Sequence, residues 1–313
     1  MGADGYRWWY LDALSEDGRS SLCIITFLGS VFSPYYAWAR ARAPADPLEH
    51  CAFNVALSGP RNRWCMTERP RRCVEAGPDA LRIGRSRLEW RGGAYHYTLD
   101  ERGSPLPWAL RGTVRVEPAC TPGVQFNLDS AGHHRWSPLA PCAHVRVELE
   151  EPRQRWRGLA YVDTNWGDRP LEQDFRSWQW SRTSTAAGTT VFYEPEHRSD
   201  APWTLAVRFS GADCTSIETP PADVRLPRSG WGIARSARSE DPPGTRVVRT
   251  LLDAPFYARS LLEVKLAGAS ALSVHETLSL ERFRQPWVRC MLPFRMPRLA
   301  LPQRPAAASS AAR

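Results

Sequence analysis

The sequence is nearly without lysine: of its 41 basic residues, 40 are arginine and one is Lys265. GC-rich coding explains that bias more simply than selection for phosphate binding, because the arginines are spread along the chain, with no block and no arginine-rich helix. The net charge of +8 therefore lacks the clustered footprint of a nucleic-acid binder, and no nucleic-acid partner is expected. Also missing is any apolar run near the ~18–20 residues that a spanning helix needs. The longest, Leu22 to Phe32, is broken by Thr26, Gly29 and Ser30. The opening stretch MGADGYRWWYLD has no basic segment followed by an apolar one, so no signal peptide is expected.

Most catalytic and cofactor signatures are absent as well. No G-x-S-x-G elbow occurs. Neither G-x-x-x-x-G-K-[ST] nor G-x-G-x-x-G is present, so no phosphate cradle is signalled, and no H-E-x-x-H helix exists. The eight cysteines form no C-x-x-C and none sits at zinc-finger spacing with histidine. They read as free thiols packed as small hydrophobes. His133 and His134 are adjacent, so on a strand they point to opposite faces and cannot easily share a metal. No metal is expected. Glu150 and Glu151 end an alternating strand and read as rim charges, and Glu68, beside a basic run, reads as part of a solvated ion-pair loop.

What the chain has instead is tryptophan, 14 in 313 residues, with 27 prolines and 21 glycines that cut it into short segments. Apolar residues are 42% and charged residues 24%, a globular composition. Thr113–Glu117, His144–Glu150 and Thr204–Phe209 alternate polar and apolar residues, and Leu272–Leu280 does so in part. Period-two alternation marks half-buried antiparallel strands. No stretch promises a helix of three turns. The best candidate is Tyr35 to Ala43, started by Pro34 and stopped by Pro44, at most two turns long. A weak internal repeat is visible. Tyr6–Tyr10 with its following turn and strand resembles Ser177–Ser181 with its own, and Ile83–Ser86 echoes Gly232–Ser236. The offsets of ~150–170 residues are about half the chain. The expected fold is therefore all-β, with two antiparallel β-barrel domains in tandem at 1–172 and 173–298, followed by a disordered low-complexity tail at 299–313.

If Ala160–Gly167 is a strand, Tyr161, Asp163 and Asn165 share one face and Val162 and Thr164 the other. Upstream, His134 and Trp136 also share a face. Two strands that bring those faces together would make a pocket of one carboxylate, one imidazole, one phenol and one indole. The competing reading is that Asp163 faces solvent or caps the turn to Gly167.

Longer motifs then become recognisable. GSVFSPYYAWAR (29–40), HCAFNVAL (50–57), YVDTNWGDRPLE (161–172) and FRSWQWSR (175–182) resemble the carotenoid 1,2-hydratase family, also called acyclic carotenoid hydratases or hydroxyneurosporene synthases. The likeness runs from about Tyr6 to Arg298. It implies a lipocalin-like tandem barrel related to that of tocopherol cyclase. It implies water addition across the C1=C2 bond of an acyclic carotenoid such as neurosporene or lycopene, without a redox cofactor, in purple photosynthetic bacteria. The family's proposed acid falls on Asp163, and its supporting His-x-Trp and Tyr fall on His134, Trp136 and Tyr161, the four residues grouped by the strand argument.

Hydrating such an alkene starts with protonation at C2 and leaves a tertiary cation at C1. An ordinary aspartate, with a pKa of ~3.9, has no proton to give near neutrality. An apolar pocket raises that value by several units, which suits Asp163 to general-acid work. Trp136 and Tyr161 would offer π faces to the cation, and a neutral His134 would either hydrogen-bond Asp163 or orient the water. The substrate is almost insoluble in water. A cytoplasmic enzyme in peripheral contact with the membrane is therefore expected, through aromatics of the Phe32–Trp38 segment and nearby arginines. Two rival readings share much of this sequence. A non-catalytic isoprenoid carrier needs the barrel but no buried acid, and a related isoprenoid cyclase captures the cation with an internal hydroxyl.

Overall fold

The computed structural model describes residues 1–298 apart from positions 200, 202 and 212. The tail expected at 299–313 lies outside the described residues. Twelve strands build the first sheet: β1 (Tyr6–Ser15), β2 (Ser21–Leu28), β3 (Ala52–Ser58), β4 (Arg63–Met66), β5 (Val74–Ala76), β6 (Ala80–Ile83), β7 (Ser86–Arg91), β8 (Ala94–Arg102), β9 (Ala109–Pro118), β10 (Phe126–Asn127), β11 (His134–Glu151) and β12 (Gln154–Gly167). Seven build the second: β13 (Phe175–Thr185), β14 (Gly188–His197), β15 (Leu205–Ser210), β16 (Asp213–Ser216), and, after a separate hairpin of β17 (Ala222–Leu226) with β18 (Arg235–Ser239), β19 (Arg246–Asp253), β20 (Tyr257–Leu266) and β21 (Ala269–Ser279).

Every pairing between these strands is antiparallel. The all-β class is the one observed. The first sheet runs β4-β3-β2-β1-β12-β11-β9-β8-β7-β6-β5 and curls without β4 meeting β5, so it is a half-barrel rather than a closed one. The second runs β16-β15-β14-β13-β21-β20-β19. In both, the opening hairpin is joined to the last strand of its own sheet: β1 pairs with β2 and β12, and β13 pairs with β14 and β21. The Tyr6/Ser177 repeat thus marks equivalent hairpins. The Ile83/Gly232 echo does not, since Ile83–Ser86 turns from β6 to β7 whereas Gly232–Ser236 leads into β18.

Alternation reads out burial where one face is wet. In β9 and in the second half of β11, buried and exposed residues alternate. β2 is buried at all eight positions because both its faces are covered. One face, with Leu22 and Ile24, joins an aliphatic core inside the curl; the other, with Cys23, Ile25 and Phe27, joins a core rich in rings between the two sheets.

The helices are short. α1 (Pro34–Arg40) starts as expected, with Pro34 in its first turn and Ser33 Oγ accepting from the amides of Tyr35 and Tyr36. It stops before Ala43, because the residue ahead of Pro44 is pushed out of helical geometry. Its motif residues are fasteners. The Tyr36 hydroxyl donates to Gly5 O, and Arg40 lies over the Tyr36 ring and reaches Glu172 at 3.3 Å. Glu172 opens α2 (Leu171–Asp174) and also meets Arg289 of α4 (Pro286–Met291), which follows α3 (Leu280–Phe283). Glu68 departs from the solvated-loop expectation. It is buried, 2.9 Å from His50 Nδ1 and 3.0 Å from Arg298, because residues 51 and 69 bridge and fold the loop inward. All eight cysteines are free, and Cys290 is exposed.

Candidate active site

β12 lies between β1 and β11, with the second sheet across its ring-bearing face. That placement buries Tyr161, Asp163 and Asn165 on one side of the strand while Ala160 and Val162 enter the aliphatic core on the other. The face assignment from period two is the one seen. Opposite Asp163 stands Pro138, where β11 is bulged and its register shifts twice before Ala143. Bulges of this kind re-aim side chains beside sites. Here the bulge follows Trp136, whose partner across the ladder is Asn165.

Asp163 is 3% exposed. The Trp136 indole donates to its Oδ2 at 2.9 Å and the Tyr161 hydroxyl donates to the same oxygen at 2.8 Å. Among the described residues, Oδ1 has no hydrogen-bond partner. Burial pushes the carboxyl up to about 7; the two donated hydrogen bonds pull the other way, and the charge of Glu276 adds to the rise. Among the described residues, no cation is paired with it. Three of the four expected residues therefore form one unit.

Trp136 and Tyr161 are fully buried behind the acid, with their polar atoms turned to it. The rings lining the cavity beside Asp163 are instead those of Trp8, Tyr10, Phe32, Trp178, Trp180, Tyr193 and Tyr257. Tyr10 and Trp180 meet edge to face at 5.3 Å, and Asn165 donates to the Tyr193 hydroxyl at 3.0 Å. The cavity holds about 40 Å³, room for a water. Glu276 forms part of its far wall.

His134 is the residue the structure places apart. Its Nδ1 is 2.9 Å from the Tyr6 hydroxyl and its Nε2 is 2.8 Å from Asp174 Oδ2, so both ring nitrogens are engaged away from Asp163. Burial lowers its pKa, opposed by Asp174, which favours the neutral ring. Tyr6 stacks on Trp8 at 5.0 Å, so His134 braces one wall of the cavity from outside. Gly167 closes this brace: a Cβ there would sit 2.6 Å from the Tyr6 ring and 2.9 Å from His134 Nδ1. The glycine of the YVDTNWG motif is thus needed for close approach.

Ile25, Phe32 and Tyr257 are shared with a larger cleft of about 280 Å³, walled mainly by apolar groups such as Phe256, Leu292 and Met296. Around this cleft stand Trp231, Met291 and Phe294, the last 66% exposed. The Phe32–Trp38 segment, expected to meet the membrane, turns outward only in part, with Tyr35 and Trp38 half-buried. Phe32 packs among Trp8, Phe256 and Phe283, and Tyr36 is fully buried.

Sequence reasoning missed most of the ring box and Glu276. A signal for Glu276 was present, since the partial alternation of β21 puts a carboxylate between Val274 and Leu278 on an apolar face. Among the described residues, no three His, Cys, Asp or Glu side chains gather as metal ligands would.

Known proteins agree with the motif resemblance. The profile of the family described as Carotenoid hydratase CrtC matches residues 24–303. The acyclic carotenoid 1,2-hydratase of Thiocapsa roseopersicina is 51% identical over 297 residues, 94% of this chain and 73% of that enzyme. The enzyme of the same name from Rubrivivax gelatinosus is 47% identical over 301 residues, 95% and 74% respectively. Among solved structures, CghA with Sch210972 shares the fold at TM-score 0.56 and 12% identity, over 88% of each chain. The chain belongs to the carotenoid hydratase family.

Proposed function

We propose that this chain adds water across the C1=C2 bond of the end group of an acyclic carotenoid such as neurosporene or lycopene, with Asp163 as the general acid. The observation that carries the reading is a buried carboxyl, free of any paired cation, whose pKa of about 7 leaves it protonated in good part near neutrality, beside a box of aromatic rings. The Asp163 proton passes to C2 and the π bond breaks. The tertiary cation left at C1 faces rings worth roughly 0.5–2 kcal/mol each in cation–π attraction, and a water oxygen bonds to C1. Addition of water is redox-neutral, so the reading calls for no redox cofactor.

Trp136 and Tyr161 hold the acid by its Oδ2, which leaves Oδ1 as the oxygen free to carry the proton to substrate. His134 supports the Tyr6–Trp8 wall. The end group reaches the acid through the apolar cleft that shares Ile25, Phe32 and Tyr257 with the cavity. No helix among the described residues is long and apolar enough to cross a membrane. The reading places the chain at a membrane surface by contact alone, and the exposed Trp231, Met291 and Phe294 around the cleft, with Trp287 stacked on Trp231, suit that contact better than the Phe32–Trp38 segment.

The test is direct. Lycopene dispersed with the protein in ¹⁸O-labelled water should gain one labelled water per hydrated end, and Asp163→Asn should abolish the gain while still binding carotenoid. Binding without any mass change in the wild-type protein would mark a carrier. A cyclised product of unchanged mass would mark a cyclase.

A further inference from the structure

The two sheets place their carboxyls at equivalent positions. In the first, β1 lies beside β12, with Trp8 opposite Asn165 and Tyr10 opposite Asp163. In the second, β13 lies beside β21, with Trp178 opposite Leu278 and Trp180 opposite Glu276. With the hairpins superposed on Trp8 and Trp178, Glu276 holds in the second sheet the place that Asp163 holds in the first. The inner faces of the sheets meet at Tyr10 and Trp180, so both carboxyls line the same small cavity from opposite walls.

Their surroundings differ in charge. The Tyr10 hydroxyl donates to Glu276 Oε1 at 2.7 Å, Arg259 Nε lies 3.2 Å from the same oxygen, and the Tyr257 hydroxyl also supports the carboxylate. Arg259 pairs as well with the buried Asp12, which Arg182 meets at 2.6 Å. Glu276 thus belongs to a buried set of two arginines and two carboxylates whose formal charges cancel, whereas Asp163 has two neutral donors and no cation. Burial raises the Glu276 pKa, and Arg259 with the Tyr10 and Tyr257 hydroxyls pulls it back down. Asp163 has no such charge to oppose its burial, and unequal settings of this kind set two carboxyls of one site apart, one as acid and one as base.

We propose that Glu276 is a second catalytic residue, the general base that takes the proton of the adding water. This rests on the reading of Asp163 as the acid. As the water oxygen bonds to C1, one of its O–H bonds breaks and that proton goes to the Glu276 carboxylate; the alcohol is left neutral. The site then holds an ionised Asp163 and a protonated Glu276. Transfer of one proton from Glu276 to Asp163, through water in the cavity, restores the starting state, and the sum is alkene plus water giving alcohol. The placement also sets the stereochemistry: hydrogen and hydroxyl are delivered from opposite walls, hence to opposite faces of the double bond.

The experiment separates the two proton transfers. Glu276→Gln, Asp163→Asn and the wild-type chain are incubated with lycopene in D₂O, and both hydrated product and deuterium in recovered lycopene are measured. Glu276→Gln is expected to lose hydration by about a hundredfold or more while still placing deuterium in recovered lycopene. Protonation by Asp163 then reverses because the water cannot be deprotonated. Hydration by Glu276→Gln at the wild-type rate overturns the proposal. So does parallel loss of hydration and exchange in a folded Glu276→Gln, which would make Glu276 only a charge partner of Arg259. Glu276→Asp keeps that charge and withdraws the base by one methylene. If Glu276→Gln fails to fold, a hydration-to-exchange ratio in Glu276→Asp lower by about tenfold supports the proposal and an unchanged ratio overturns it. Activity surviving in Asp163→Asn would instead sink the acid assignment.

Discussion

The two faces of β1, β2 and β12 are built from neighbouring residues and do opposite work. On one face Leu11, Ile24 and Val162 fill the curl of the first sheet with side chains that have nothing to hydrogen-bond. On the other, one residue along each strand, Tyr10, Ile25 and Asp163 meet the second sheet, and all but Phe32 of the rings lining the cavity there carry a polar atom. The pleat alone separates them. The aliphatic face gains burial free energy at about 25 cal/mol per Å². The ring face gives some of that back, because it keeps an acid where burial opposes its ionisation. The folded pKa of Asp163 is about 7, against an unfolded value near ~3.9, which amounts to roughly 4 kcal/mol.

The largest effect should come from removing that acid. Asp163→Asn is expected to lower turnover by about 10³-fold or more while making the protein more stable, and the sign follows from linkage. Below pH ~4 the carboxyl is protonated in both states and contributes nothing. Between there and about 7 the unfolded chain ionises while the folded one does not, so wild-type stability falls as pH rises, and it levels off above. Melting curves of the two proteins should diverge across that window, with Asp163→Asn the higher at pH 8. The wild-type rate should fall above pH about 7 as the acid ionises. A wild-type melting temperature that rose relative to Asp163→Asn over the same window would contradict the buried neutral acid.

Next in size are the donors. Tyr161→Phe removes one of the two hydrogen bonds to Oδ2, both of which favour the ionised carboxylate. The carboxyl becomes a weaker acid. The alkaline limb of the rate profile should move to higher pH, with the maximal rate about tenfold to a hundredfold lower. Trp136→Phe should shift the limb in the same direction. A limb moving downward would show that the donors act on the protonated form.

His134→Asn should cost less in rate, about tenfold, with no movement of the alkaline limb, because its ring nitrogens meet Tyr6 and Asp174 rather than the acid. A shifted limb would place His134 in contact with Asp163 during turnover.

The aliphatic and ring faces were not equally legible in the sequence. Period two placed Tyr161, Asp163 and Asn165 together because a strand's face assignment is local. Alternation also found β9 and the second half of β11, whose outer faces are wet. It said little about β2, covered on both sides and apolar throughout. The grouping of His134 with Asp163 went too far: a shared strand face fixes direction but not reach, and four residues along β11 carry His134 to the level of Gly167. Arg182, Arg259 and Asp12 were out of reach altogether. Their ion pairs join residues 170 and 247 positions apart across two sheets, and nothing local encodes such a meeting. Glu276 lay between, its misplaced carboxylate visible on an apolar strand face but its partners all tertiary.

The smallest effect on rate should accompany a large effect on stability. Ile24→Ala cuts a fully buried side chain from the aliphatic face, and the lost burial with the residual cavity should cost about 2–5 kcal/mol. Its neighbour Ile25 lines the Asp163 cavity, so the two isoleucines test whether the faces are independent. Ile24→Ala should lower the unfolding midpoint while the rate per folded molecule and its pH profile stay at wild type. Ile25→Ala should alter the rate through the shape of the cavity. Equal changes in rate for both would mean that strain crosses the sheet. A β-sheet one residue thick, with packed side chains on each side, does transmit strain when a core is overfilled. A truncation instead leaves a gap that the surroundings fill only in part, so the disturbance of Ile24→Ala should stay on its own side of the strand.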